Sequence, residues 1–137
     1  MINKLINAFG KVFLTIQADN ENGWLHTSWH GYLSEANIKE GAIAISDAIS
    51  ETGFNSTLND MRLVLGPIRS SEWATNEWSP EVAKKGLKFM ALVNAPDGMS
   101  APDVVNFHNT QTYFETNIFT SITEAQKWLQ QCRSEVV

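Results

Sequence analysis

The chain has 137 residues, 43% of them apolar and 18% charged, and carries a formal net charge of −5. A chain of this length buries about two-thirds of its extended surface on folding, so a single domain spanning 1–137 with its own core is expected, and disorder is not. The acidic balance gives no field to attract nucleic acid or an anionic membrane, and no run approaches the roughly 20 apolar residues of a membrane helix.

Val12, Leu14 and Ile16 alternate with Phe13, Thr15 and Gln17, which predicts a half-buried strand from Lys11 to Gln17. A polar run ending in Asn22-Gly23 then turns the chain into a second alternating strand, Trp24 to His30, completing a hairpin. By parity Trp24 and Trp29 point to opposite faces of that strand, so at most one meets the main core. Ser34 is placed to cap a helix in which Ile38, Ala42, Ile45 and Ile49 form one apolar stripe, with Gly53 as its left-handed stop. Gly41 lies inside this helix at a cost of about 1 kcal/mol against Ala, which points to a close approach by another group.

Ser56 to Asn59 reads as a short strand leading to Asp60, and Met61 to Ile68 shows no clean period and receives no assignment. Ser71 to Glu77 is expected to be helical, and Ser79-Pro80-Glu81 has the cap, first-turn proline and acid of a helix that Gly86 stops. Leu87 to Val93 is nearly continuous in apolar residues, which predicts a strand covered on both faces in the middle of the sheet. Ser100-x-x-Asp103 can cap a helix carrying Val104, Phe107 and His108. Thr116 to Phe119 is the last strand, and Ser121-x-x-Glu124 opens a helix striped with Ala125, Trp128, Leu129 and Cys132. The order ββαβαβαβα defines an α/β fold with a mixed, mostly parallel sheet.

Little in this pattern carries chemistry. His26 and His30 share a strand face but stand roughly 13 Å apart, too far to hold one metal ion, so neither metal nor cofactor is expected. Cys132 is the only cysteine, which excludes an intramolecular disulfide, and its place on an apolar stripe marks it as packing. There is no nucleophile elbow and no phosphate-binding glycine loop, so the reading is of a protein without catalytic residues. A reducing cytoplasm is the expected setting, since residues 1–10 lack a signal-peptide pattern.

Two features stand out as candidate binding positions. Asp60 falls at the carboxyl end of a predicted parallel strand, where open α/β sheets place ligands, with Arg62 close enough to neutralise it. Trp73 and Trp78 sit in an otherwise polar stretch, either as an aromatic contact surface or as outlying core.

Leu58-Asn59-Asp60, Gly66-Pro67, Trp73, Trp78-Ser-Pro80, Gly86-Leu87-Lys88, Ala91, Phe119, Ala125 and Trp128-Leu129 together resemble the pattern of the STAS/SpoIIAA-like family of bacterial proteins. The resemblance runs from about Trp24 to Leu129. It implies helices packed mainly on one face of the sheet, kinship with anti-sigma factor antagonists and, more distantly, with CRAL-TRIO lipid-transfer domains, and no catalytic machinery. The function it implies is a regulatory or protein-interaction module of bacterial signalling, with a protein partner or a second copy as the contact; the alternative is a binder of an apolar small molecule or lipid. Anti-sigma antagonists are phosphorylated on a serine of an Asp-Ser-Ser-Gly-like motif, where this chain has Asn59-Asp60-Met61-Arg62. Ser70 and Ser71, which open the next helix after a longer insert, are the candidate phosphorylation positions.

Overall fold

The computed structural model describes residues 2–136. Its elements are β1 (Ile2–Ile6), β2 (Val12–Asp19), β3 (Trp24–Gly31), α1 (Glu35–Thr52), β4 (Ser56–Val64), α2 (Ser71–Trp73), a π turn (Ala74–Trp78), α3 (Ser79–Lys84), β5 (Phe89–Val93), α4 (Ala101–Thr110), β6 (Glu115–Phe119) and α5 (Ile122–Val136). The strands form one six-stranded sheet in chain order, β1 to β6. The pairs β1–β2 and β2–β3 are antiparallel, and the remaining neighbours are parallel. The chain is therefore α/β with a mixed sheet.

Two apolar clusters lie on opposite faces of this sheet. Ile38, Ala42, Ile45 and Ile49 of α1 pack with Trp78, Val82, Val104 and Phe107 over Leu25, Trp29, Met90 and Leu92. On the other face Ala125 and Leu129 of α5 cover Trp24, Leu58, Ala91 and Val93. Strand alternation produces this division, and it places Trp24 and Trp29 in different clusters as their parity requires. The sequence reading put helices mainly to one side; α5 forms a second layer.

Local chemistry sets the element ends. Ser34 Oγ accepts the Asn37 N–H at 3.0 Å while Asn37 Oδ1 accepts the Ser34 N–H at 3.1 Å, a reciprocal cap at the start of α1. Gly53 ends the helix at φ 73°, a conformation open to glycine without strain. In the first hairpin Leu5 pairs with Leu14 but Ile6 pairs with Val12, so Phe13 is an extra residue on β2. The bulge buries both Phe13 and Leu14.

Four expectations are corrected. The expected order begins at Lys11, whereas Ile2–Ile6 supplies a further strand, edge strand β1. β4 runs on through Met61 to Val64, so Asp60 lies within a strand and not at its carboxyl end. β5 is covered on both faces as expected, yet it stands next to edge strand β6, and the middle of the sheet is β3 and β4. The fourth concerns caps. Ser79 caps nothing, since the chain is already helical before it, and Ser100 makes no side-chain cap bond.

Candidate functional site

The crossover from β4 to β5 builds the most unusual region of the molecule. After β4 the chain is tied to α4 by the Ile68 N–H, which donates to Asp103 Oδ2 at 2.8 Å. This bond explains why Asp103 does not serve the predicted capping box. The helix over 71–84 then widens into the π turn Ala74–Trp78. Pro80, in the first turn of α3, has no N–H to give, and its ring crowds the carbonyls one turn back, which favours a wider turn there. Ser79 Oγ donates to Ala74 O at 2.8 Å and supports that register.

The π turn directs Trp78 into the core. Its side chain is 7% exposed, its indole N–H donates to Ala42 O at 2.7 Å, and its ring meets Phe114 edge-on at 6.1 Å. Trp73 is only half-buried, with Lys39 Nζ 5.6 Å from its ring centroid, a cation–π distance. The two tryptophans thus have different roles: Trp78 is core, and Trp73 faces a surface cleft lined by Glu35, Arg69, Ser70, Glu72 and Glu77.

Between the helices and the sheet lies a cavity of about 90 Å³. Its floor is Trp29, Asn59, Met61, Met90 and Leu92; its walls are Ile38, Ala42 and Ile45 of α1, Ala74 and Trp78 of the π turn, and Val104 and Phe107 of α4. Asn59 is fixed, because its Oδ1 accepts both the Thr27 hydroxyl and the Trp29 indole N–H at 2.8 Å. Ser70, Ser71 and Asp103 are the polar groups at the rim. Ser70 is 3% exposed and its Oγ has no hydrogen-bond partner among the described residues. It also lines the outer cleft beside Trp73 and so separates the two spaces.

Asp60 and Arg62 are elsewhere. Asp60 continues the face of Leu58 and pairs in register with Val93, on the α5 side of the sheet. The Trp78 side chain is on the opposite face, so the two candidate features do not form one site. Arg62 Nε and Nη2 donate to the two carboxylate oxygens at 3.0 and 2.9 Å, and the Arg62 N–H donates to Oδ1 at 3.1 Å. Burial by itself would push the Asp60 carboxyl up; His26, with Nε2 3.9 Å away, and the bidentate Arg62 together outweigh it and hold the carboxyl well below the usual range. A carboxylate held that low is a poor proton acceptor near neutral pH.

Sequence reasoning named Trp78 and Ser70 but missed Asn59, Met61, Asp103 and Phe107 as parts of the lining of one cavity. Gly41 gave the one local signal, since its helix face presses on Trp29. Among the described residues no three His, Cys, Asp or Glu side chains converge as metal ligands do. No helix among them is long and apolar enough to cross a membrane. Compared with known proteins, the chain matches no protein-family model and no curated protein.

Proposed function

We propose that this protein is a non-catalytic binding protein that takes a small, mostly apolar molecule into the cavity between α1, the π turn, α4 and the sheet. The observation that carries the reading is the cavity itself, apolar in its walls and, Asn59 apart, in its floor, and bordered by two indoles that hydrogen bonds hold in place. Apolar cavities accept apolar guests, and an engineered one of about 150 Å³ takes benzene. At about 90 Å³ this one suits an apolar guest of about four non-hydrogen atoms. With a ceiling of about 1.5 kcal/mol per atom, such a guest binds no tighter than the micromolar range. The volume is far below that of a lipid, so the likeness to lipid-transfer domains extends to the apolar character of the site and not to its capacity. Kinship with the STAS/SpoIIAA-like family is part of this proposal, and the mixed α/β sheet supports it.

The test is ¹H–¹⁵N NMR under xenon pressure. Shifts concentrated on Ala42, Ala74 and the Trp29 and Trp78 indoles are expected, and Ala74→Leu, which fills the cavity, should remove them. Absent shifts, or shifts that survive Ala74→Leu, would overturn the reading.

A second reading, the interaction module of bacterial signalling, is favoured by one surface. Tyr32, Leu63 and Leu65 are each more than half exposed, and the Leu65 N–H donates to Gly31 O at 3.0 Å, which brings these segments together at the carboxyl end of β3 and β4. Apolar surface of this kind marks contacts with other proteins. A mass that rises with concentration in sedimentation velocity, and falls to the monomer in Leu65→Ser, is the expected signature of a homodimer.

A further inference from the structure

We infer that the guest of the cavity is a short amphiphile with one neutral hydroxyl, and that this hydroxyl pairs with Ser70 Oγ at the boundary between the cavity and the cleft beside Trp73. The inference rests on the cavity being a binding site and names the chemistry of its ligand. Ser70 precedes α2 in the position where a serine ordinarily caps a helix, yet its side chain makes no cap bond. Its hydroxyl is buried, and buried hydroxyls are nearly always paired. Asn59 in the floor and Asp103 at the rim are engaged: Asn59 Oδ1 accepts two hydrogen bonds and Asp103 Oδ2 accepts one. Of the cavity-lining residues described, Ser70 is the one with a buried polar side-chain atom that lacks a partner.

Charge around this point selects against an anion. Asp103 borders the cavity, and Glu35, Glu72 and Glu77 line the outer cleft against Arg69 and against Lys39, which pairs with Glu35 at 3.1 Å, so acidic groups remain in excess. A carboxylate placed at Ser70 would meet this acidic surround in a poorly solvated setting, whereas an alcohol brings no charge and can both donate to and accept from the serine. The apolar body then points inward toward Trp29 and Met90, and the polar end stays beside the entrance.

The experiment titrates the intact protein with 1-butanol, butyrate and xenon, following the same NMR signals in the wild type and in Ser70→Ala. Xenon reports the cavity without hydrogen bonding, so equal xenon affinity in both proteins shows that the variant keeps its fold and its cavity. The expected result is 1-butanol binding weakened about five- to tenfold by Ser70→Ala, the weight of one hydrogen bond, with butyrate at least tenfold weaker than 1-butanol in the wild type. Unchanged 1-butanol affinity in Ser70→Ala beside intact xenon binding would overturn the role of Ser70, leaving the cavity as a site whose serine is satisfied by water. Butyrate binding as tightly as 1-butanol would overturn the choice of a neutral hydroxyl. Failure of both xenon and 1-butanol to bind the wild type would overturn the cavity reading and this inference together.

Discussion

Gly41→Ala tests how tightly α1 is docked on the sheet. In an isolated helix the change is favourable by about 1 kcal/mol, because alanine loses less backbone freedom on folding. Here the added methyl carbon would lie 2.7 Å from Trp29 Cζ3 and 2.9 Å from Leu14 Cδ2, and closer still to Trp29 Cη2, all inside van der Waals contact. The Trp29 ring resists displacement, since its N–H is committed to Asn59 Oδ1, which also serves Thr27. Overpacking of this kind costs about 1–3 kcal/mol, and loss of the indole bond adds about 1 kcal/mol. The expected balance is a net destabilisation of about 1–3 kcal/mol in urea unfolding followed by circular dichroism. Trp29→Phe removes the part of the ring that meets the methyl, so Gly41→Ala in that background should be nearly neutral or stabilising, and the double-mutant cycle should show strong coupling. A Gly41→Ala variant as stable as the wild type would refute the argument.

Trp78→Ala should lower stability by about 3–5 kcal/mol in denaturant unfolding, because it opens the core and removes the indole bond to Ala42 O, whereas Trp73→Ala should cost about 1 kcal/mol; equal losses would contradict their separate environments. Asp60 has a folded-state pKa depressed below the unfolded value of about 3.9, so its stabilisation is fully present above that pH and is lost as pH falls further. Asp60→Asn should therefore destabilise the protein by about 2 kcal/mol at pH 7, with the difference from the wild type shrinking below about pH 4; a difference independent of pH would show that the Arg62 pair contributes no linkage. Hydrogen exchange should be slowest at the amides of Met90 to Val93, which lie between two strands and beneath two helical layers, and rapid exchange there would contradict the sheet order.

The sequence by itself determined those features whose signal is periodic and local. The stripe Ile38, Ala42, Ile45 and Ile49, with Ser34 before it and Gly53 after it, specified α1, since spacing and caps act within a few residues. Parity alone assigned Trp24 and Trp29 to different faces, and the unbroken apolar run to Val93 required cover on both sides of β5. Gly41 announced a close approach without naming Trp29 as the group that approaches. What tertiary structure decided depends on partners distant in the chain. β1 becomes a strand because β2 offers it an edge, and β4 extends past Asp60 because β3 continues beside it to Gly31. Ser79 and Asp103 look like helix caps in isolation, but one turns to a carbonyl exposed by the π turn and the other to the Ile68 amide, because a short polar side chain bonds whatever backbone group packing brings near. The cavity and the unpaired Ser70 hydroxyl follow the same logic: they exist only where the β4–β5 crossover, α1, α4 and the sheet meet, and no spacing in the sequence encodes the gap they leave.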